Sequence, residues 1–528
     1  MIYHCEDHTC NYWDEGEKLP ERCPQCGRKL LRANEADMTG DDWTALGNTL
    51  WDAEASDKKR MVDCFRKAAY LGSAWGVCNL GICMEQGNGV EADPVQAFWL
   101  YQQAVEMGSL NAVCCLGVCY QYGIGTAPDA KQAAELYRKA AEYGSPRGQM
   151  LLARAFHDGI GVEADAAEAV HWVRAAAYQR YGEGMYRLGV CYEYGDGVEQ
   201  NWEHAVHWFR EAAESGVSTA MTDLGYCYEK GCGVEQSWEQ AFSWYRRGAE
   251  CGYPVSMSNL GLCYKRGYGV EQNWQEAVKW YEQGAQCGHL QSMDNLAYCY
   301  EYGEGVEQNE ERALYWYRRG AEAGSDYCMY CLGWNYSNGE GVEQNMTEAI
   351  RWYTAAAEGG NADAMHNLGW HYDHGEGVEQ DMKKAICWYE RAAEQNHPAA
   401  MNSLGECYAM GRGVPRDLET AMEWYRRAAE LGEAMADYNM GWHLEQAGKL
   451  SEAYAHYRKA ADGNDDSAWW ALGRFYENGV VVAQDGKEAR CCYETGEKLG
   501  SVKCKMRLAR CKLLGIGGHR AKKAGLDL

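Results

Sequence analysis

Proline and phenylalanine are scarce in this sequence of 528 residues, which contains only 8 and 6 of them, respectively. Because proline breaks helices, its scarcity permits many uninterrupted helical segments. Long apolar runs are also lacking, and none approaches the roughly 20 residues that a membrane-spanning helix needs. The opening residues, MIYHCEDHTC, include neither the basic region nor the apolar stretch of a secretory signal. We therefore expect a cytoplasmic protein with no membrane partner.

Basic side chains are in the minority, since 51 lysines and arginines face 77 acidic residues and give a net charge of −26. A polyanion of this kind repels the phosphates of nucleic acids and of anionic membrane surfaces. We therefore expect no nucleic-acid partner.

The dominant feature is a repeat marked by a leucine, usually followed by glycine, which we call the anchor leucine. Ten anchors follow one another at intervals of 36 residues, from Leu80 to Leu404. Met440 continues the series, Leu472 and Leu508 follow it, and Leu46 precedes it. Internal repeats of this length are the signature of solenoid architectures. We count 14 units, of which the last is truncated.

Each unit is expected to form two helices separated by a glycine-rich turn. Ala220, Leu224 and Cys227 are spaced as one apolar helical face, and Gly231–Val234 then interrupts the pattern. A second apolar face follows after a helix N-cap residue, Ser237 in this unit and Asn273 or Asn345 in others. The pattern predicts an all-α fold, a right-handed superhelical solenoid of antiparallel pairs with about 27 helices.

The repeat pattern L-G-x-C-Y-x2-G-x-G-V, followed by A-x2-W-Y-x2-A-A-x2-G, resembles the Sel-1-like repeat, a relative of the tetratricopeptide repeat. The resemblance covers residues from about 40 to 514, and the unit at Met440 looks like an ordinary tetratricopeptide repeat instead. It implies a non-catalytic scaffold or adaptor that binds another protein. We divide the chain into an N-terminal metal knuckle at 1–34, a solenoid at 38–514 and a basic tail at 515–528.

The cysteines are numerous, but their positions argue against disulfides. Eight follow the anchor by three residues, a position expected on the buried face of the first helix: Cys83, Cys119, Cys191, Cys227, Cys263, Cys299, Cys407 and Cys511. Equivalent positions of stacked helices lie about 9–10 Å apart, which exceeds the Cα limit of about 7 Å for a disulfide. Secreted relatives are stapled by C-x7-C pairs, but Cys251 and Cys287 have no such partner here. A ladder of free thiols favours a reducing compartment.

Four further cysteines, Cys5, Cys10, Cys23 and Cys26, have the spacing of a four-thiolate metal site. The segment resembles a rubredoxin-like zinc ribbon, which implies bound zinc, although iron also suits four thiolates. His8 could replace Cys10 as the second ligand. Bound iron would support the alternative function of electron transfer.

Catalytic motifs are few, and we predict that the protein is not an enzyme. Ser56 and Lys59 match S-x-x-K, the acylation motif of β-lactamase-like hydrolases, but no S-D-N or K-T-G partner accompanies them. Ser56 is better explained as a helix N-cap. The cluster His366, His371, Asp373 and His374 could bind a metal only with a ligand from a neighbouring helix, and Cys328-x-x-Cys331 fits core packing.

Two rows of side chains are candidates for binding a partner protein or peptide. The residue before the anchor is polar in Asp223, Asn259, Asn295 and Asn367, and the second residue after it is aromatic in Tyr226, Tyr298, Trp334 and Trp370. Resemblance to tetratricopeptide grooves implies that both rows lie on a concave face, where amides hold a peptide backbone and aromatics anchor it. Alternatively, the amides bond within the solenoid and the aromatics pack between units. If the groove is real, we expect it to prefer a basic or neutral peptide.

Overall fold

The structure is a computed structural model that describes residues 2–5, 13–15, 30–33, 35–51 and 55–514. The chain forms two compact units, residues 1–272 and 273–528. No helix in the described part is long and apolar enough to cross a membrane.

The first unit opens with a small antiparallel sheet of three strands in the order β2-β1-β3. Its strands are β1 (Ile2–Cys5), β2 (Trp13–Glu15) and β3 (Leu30–Ala33), and a short 3-10 helix (Glu35–Asp37) follows them. Thirteen helices complete the unit: α1 (Gly40–Thr49), α2 (Ala55–Tyr70), α3 (Ala74–Gln86), α4 (Pro94–Glu106), α5 (Leu110–Tyr122), α6 (Ala130–Glu142), α7 (Pro146–Asp158), α8 (Ala166–Tyr178), α9 (Gly182–Tyr194), α10 (Trp202–Glu214), α11 (Ser218–Lys230), α12 (Trp238–Glu250) and α13 (Pro254–Arg266).

The second unit consists of helices throughout its described part. They are α14 (Trp274–Gln286), α15 (Leu290–Tyr302), α16 (Glu310–Glu322), α17 (Asp326–Asn338), α18 (Met346–Gly359), α19 (Ala362–His374), α20 (Met382–Glu394), α21 (Pro398–Met410), α22 (Leu418–Glu430), α23 (Ala434–Gln446), α24 (Leu450–Asp462), α25 (Asp466–Asn478), α26 (Gly486–Lys498) and α27 (Val502–Leu514). The described residues thus hold 27 α-helices, which confirms the predicted number and the pairing into repeats. Odd-numbered helices are the first helices of the repeats, and even-numbered helices are the second.

Side chains cap both ends of the turn that joins the two helices of a repeat. Ser237 and Asn273 accept hydrogen bonds from the backbone N–H groups three residues later, at 3.3 and 3.0 Å, as predicted. The glutamine of the G-V-E-Q segment caps the other end, since Gln236 Nε2 donates to the carbonyl of Glu229 at 2.8 Å. The same bond recurs at Gln200, Gln272, Gln344, Gln380 and Gln484. This satisfies a carbonyl that has no partner at the end of a helix.

The core of most repeats contains a tyrosine of the second helix that packs on a glycine of the first. The ring of Tyr245 lies so close to Gly225 that a Cβ atom there would sit 2.6 Å from it, and Gly369 meets Tyr389 in the same way at 2.7 Å. The Tyr245 hydroxyl donates to Glu229 at 2.9 Å. Ten tyrosines at this position of the second helix are almost completely buried: Tyr101, Tyr137, Tyr245, Tyr281, Tyr317, Tyr353, Tyr389, Tyr425, Tyr457 and Tyr493.

The predicted thiol ladder is confirmed. Seven of its eight cysteines are buried and Cys191 is half-buried, and all eight are free thiols. Burial raises the pKa of the Cys83 thiol to about 11 and that of Cys227 to about 12. These side chains therefore act as small apolar residues between the helices.

The second glycine of the turn brings neighbouring repeats into contact. Gly233 has a φ of +68°, and a Cβ atom there would overlap with the carbonyl oxygen of Trp202, the first residue of α10 in the preceding repeat. Gly252, between α12 and α13, has a similar φ of +83° but no neighbouring atom within 4 Å of such a Cβ.

We expect Gly233→Ala to destabilise the first unit more than Gly252→Ala does. Both substitutions place a Cβ atom on a left-handed backbone, which costs roughly 1–2 kcal/mol. Only Gly233→Ala also creates a clash, which should cost roughly a further 1–3 kcal/mol. Urea unfolding followed by far-UV circular dichroism measures both. Equal midpoints for the two variants would show that the contact with Trp202 does not hold the repeats together.

Candidate functional site

Each first helix carries one stripe of residues that its neighbours leave largely uncovered, although some members, such as Cys115 and Cys331, are buried. The stripe comprises the residues five and one before the anchor and two and six after it, a spacing that places them on one helical face. In α19 these are Asp363, Asn367, Trp370 and His374, of which all but the half-buried Asn367 are exposed. We call this face the first-helix stripe.

The predicted aromatic row lies on the first-helix stripe and most of it is exposed. The exposed fraction is 44% for Trp334 and 37% for Trp370, and Tyr226 in the first unit is exposed by 44%. Tyr298 is half-buried, and its ring lies 4.6 Å from that of the exposed Tyr302. Packing between repeats therefore leaves a large part of the Trp334 and Trp370 side chains exposed.

The predicted amide row is less available than the aromatic one. Asp223, Asn259, Asn295 and Asn367 are all half-buried. Asp223 bonds to the Tyr186 hydroxyl, and burial raises the pKa of its carboxyl group. Asn367 bonds to Tyr330 and Tyr353. At Asp223 and Asn367 the structure thus favours the alternative in which the row bonds within the solenoid.

From α15 to α25 the stripe of the second unit carries three charged side chains, Asp363, Glu406 and Arg474, and α27 adds Lys503, Arg507 and Arg510. Asp363 is bonded to His397 at 3.1 Å, and Arg474 is paired with Glu445 at 2.7 Å. Most other stripe positions hold aromatic, amide or methionine side chains, such as Met410 and Met435. The stripe is suited to neutral, apolar side chains of a partner.

The histidine cluster does not converge on a common point. His371 is buried and its Nδ1 lies 3.0 Å from the Glu376 carbonyl oxygen, while His374 stacks on Trp370 with ring centroids 4.3 Å apart. Asp373 is buried, and Arg412 donates hydrogen bonds to both of its carboxylate oxygens, at 2.9 and 3.1 Å. Within the described ranges, no group of three or more His, Cys, Asp or Glu side chains is placed so that it could hold a metal ion. The structure therefore supports packing and pairing within the solenoid for these residues, and not a shared metal site.

His366 belongs to a separate contact between neighbouring repeats. Its ring stacks on that of His397, with centroids 5.1 Å apart, and its Nε2 lies 3.4 Å from the Ser403 hydroxyl. Burial, assisted by the charge of His397, lowers the pKa of His366 to about 4.

Cys328 lies in the core, as predicted, and takes part in a buried polar network that the sequence analysis missed. Its thiol donates to Asp294 at 2.9 Å, and the Ser325 hydroxyl donates to the same oxygen at 2.8 Å. Burial raises the pKa of the Asp294 carboxyl group. The network links α15 to α17.

The remaining predicted sites lie at or beyond the edge of the described residues. Cys5 ends β1, and Cys10, Cys23 and Cys26 lie outside the described residues, as does His8, so the metal site stays a prediction. Ser56 is the second residue of α2, which begins at Ala55, so it does not occupy the N-cap position that we expected.

Comparison with known proteins identifies the repeat. A family profile described as Sel1 repeat matches twelve segments: residues 76–109, 112–145, 146–181, 182–217, 218–253, 254–289, 290–325, 326–361, 362–397, 398–433, 434–465 and 468–501. The crystal structure of c5321, a protective antigen of uropathogenic Escherichia coli with an SLR fold, is 30% identical with a TM-score of 0.58, over 88% of this chain and 99% of that chain. A Sel1 repeat protein from Oxalobacter formigenes is 28% identical with a TM-score of 0.47, over 62% of this chain and 92% of that chain. No curated protein matches the sequence.

We expect the stability of the second unit to fall with acidification between pH 6.5 and about 4, in part because of His366. The unfolded chain binds a proton at the ordinary pKa of 6.5, whereas the folded protein binds it only near 4, so protonation favours unfolding in this window. His366→Asn should flatten the dependence of the unfolding midpoint on pH. His374→Asn, which changes an exposed histidine of the same helix, is the control, and an unchanged slope in His366→Asn would contradict the assignment.

Proposed function

The chain belongs to the Sel1 repeat family, and from this premise we propose that it is a scaffold that binds a segment of another protein on the first-helix stripe of its second unit. Solenoids of this family typically serve as non-catalytic scaffolds for protein interactions. The observation that carries the proposal is the exposure of Trp334 and Trp370, by 44% and 37%, at the same position of successive first helices.

Tryptophan is among the residues that most often contribute the largest share of binding energy at interfaces. Exposed aromatic residues that recur along one face of a folded protein are also costly unless they serve an interaction. Trp442 occupies the same position in α23, with an exposed fraction of 39%, and Glu406 of α21 lies between it and Trp370. The row therefore offers several equivalent anchor points to one ligand.

The spacing of the anchors suggests the form of the ligand. Packed helices lie about 8–10 Å apart, and a chain in the polyproline II conformation advances about 3.1 Å per residue with three residues per turn. Apolar side chains three residues apart in such a segment lie on one face about 9 Å apart and would therefore match successive tryptophans. Because the stripe carries few charges from α15 to α25, a neutral segment fits it better than a strongly charged one.

We expect Trp334→Ala and Trp370→Ala each to weaken peptide binding by about 2 kcal/mol, the loss typical of a hot-spot aromatic residue. Peptides selected on the wild-type protein from a displayed random library should carry apolar side chains at positions i and i+3. Isothermal titration calorimetry with a selected peptide measures the loss. Unfolding midpoints should change little, because these side chains are exposed.

The matched control is Tyr315→Ala, which removes an equally exposed aromatic residue, 51% exposed, from the second helix α16. It should leave peptide affinity unchanged. The proposal fails if the tryptophan variants bind the peptide as well as the control does. It also fails if they unfold while their folded fraction binds normally.

We also propose that the N-terminal segment binds one zinc ion through Cys5, Cys10, Cys23 and Cys26. The support is the spacing of the four cysteines and the resemblance to a rubredoxin-like ribbon. Elemental analysis of the purified protein should find one zinc per chain, and none in the double variant Cys23→Ser, Cys26→Ser. Visible absorbance from iron would instead support electron transfer, and retention of metal by the double variant would refute this ligand set.

A further inference from the structure

Two thiols of neighbouring repeats meet on the first helices of the first unit. Cys78 lies in α3, two residues before its anchor Leu80, and Cys115 lies in α5, one residue before Leu116. Cys78 is completely buried, and Cys115 is exposed by only 5%. Unlike the ladder cysteines, the two occupy different positions of their repeats, and both belong to one buried cluster.

Polar side chains surround this pair in an arrangement that does not recur at the ladder thiols. The Cys78 thiol donates a hydrogen bond to the Cys115 sulfur. Arg147 of α7 donates to the Cys115 sulfur at 3.7 Å and to the Asn111 side-chain oxygen at 2.7 Å. The amide nitrogen of Asn111 donates in turn to the Cys78 sulfur at 3.5 Å.

The environment favours a thiolate at Cys115. The hydrogen bond from Cys78 and the charge of Arg147 lower the pKa of Cys115, and together they outweigh the opposing effects of burial and of the Glu85 charge. Two ladder thiols on the same helices behave oppositely, since burial raises the pKa of Cys83 to about 11 and that of Cys119 to about 12. Cys115 thus combines the two properties of a reactive cysteine, a neighbouring cation and a second thiol within reach.

We propose that Cys78 and Cys115 are an oxidative modification site that forms a reversible disulfide on reaction with hydrogen peroxide. The proposal does not depend on peptide binding by the second unit. It assigns a chemical role to two of the many buried cysteines and leaves the ladder thiols as packing residues.

The reaction needs only the two thiols and the peroxide. The Cys115 thiolate attacks one peroxide oxygen, the O–O bond breaks, and hydroxide leaves and combines with the proton that Cys115 released to the solvent on ionising, so that Cys115 becomes a sulfenic acid and one water forms. The Cys78 sulfur then attacks the Cys115 sulfur, the S–O bond breaks, and the Cys78 proton leaves with the hydroxide as water. Both sulfurs are oxidised, both peroxide oxygens are reduced to water, and a dithiol reductant reverses the change.

The location explains how a buried pair can react and what the bond would do. Cys115 occupies a first-helix stripe position, and the Arg147 side chain that contacts its sulfur is exposed. The disulfide would join α3 to α5, and thus one repeat to the next. A covalent link between repeats limits their separation in the unfolded chain.

The test is to treat the full-length protein with hydrogen peroxide at pH 7, block the remaining thiols by alkylation, and map disulfides by mass spectrometry. Trypsin is unsuitable, because no lysine or arginine lies between Lys67 and Lys131 and one peptide would contain both cysteines. Chymotrypsin cleaves after aromatic residues and leucine and should yield residues 76–80 linked to residues 111–116. Reduction with dithiothreitol before digestion should remove the linked species.

The controls separate this pair from its neighbours. Cys78→Ser and Cys115→Ser should each abolish the linked peptide, whereas Cys83→Ser, Cys119→Ser and Cys114→Ser should retain it. Cys114 is included because it shares a chymotryptic peptide with Cys115. Circular dichroism of each variant establishes that it is folded.

Arg147→Met tests the role of the cation and should slow formation of the linked peptide by roughly a factor of ten at pH 7 through loss of thiolate. Raising the pH should restore the rate in this variant. The proposal is overturned if oxidation links other cysteines equally well, if no peptide joining residues 76–80 to 111–116 forms, or if Cys114→Ser removes the link while Cys115→Ser retains it.

Discussion

The close contact between a helical glycine and a buried tyrosine ring sets the distance between the two helices of a repeat. Gly225 has no side chain, so the Tyr245 ring can lie directly on the helix backbone and fill the space between the helices. The ring brings a hydroxyl group into the interior, and a buried hydroxyl needs a partner. Glu229, at the end of the first helix, accepts its hydrogen bond at 2.9 Å.

Repeats that lack the glycine–tyrosine contact follow the same requirement for close packing between their two helices. In the repeat of α7 and α8, Ala153 takes the position of the glycine and Val173 that of the tyrosine, and both are buried in one cluster. The larger residue on one helix compensates for the smaller residue on the other, as close packing requires. Where Phe209 replaces the tyrosine, Glu193 bonds to the neighbouring Tyr194 hydroxyl instead, and burial raises the pKa of its carboxyl group.

Because packing occupies the other faces of each first helix, the first-helix stripe is free to differ between repeats. In the second unit it presents Trp334 and Trp370, whereas in the first unit it holds Cys115 and Arg147. Polar contacts between neighbouring repeats vary in a similar way, from the Thr44–Ser73 hydroxyl pair at 3.1 Å to the Asp294–Ser325 bond at 2.8 Å. Repeats with the same pair of helices thus differ in the side chains of the stripe and in the polar contacts between neighbours.

The sequence by itself determined the repeat length, the pairing of helices, their N-caps and the burial of the thiol ladder, because each of these follows from local spacing. Only the tertiary structure decided which stripe residues are free, since Asn367 bonds to neighbouring tyrosines whereas Trp370, three residues later, stays exposed. It also showed that His366 packs on His397 of the next repeat, whereas His371 lies against the Glu376 carbonyl of its own repeat. The meeting of Cys78 with Cys115, 37 residues apart in a 36-residue repeat, depends on how neighbouring helices are rotated against each other. That rotation is set by packing between repeats, which the periodic pattern does not encode.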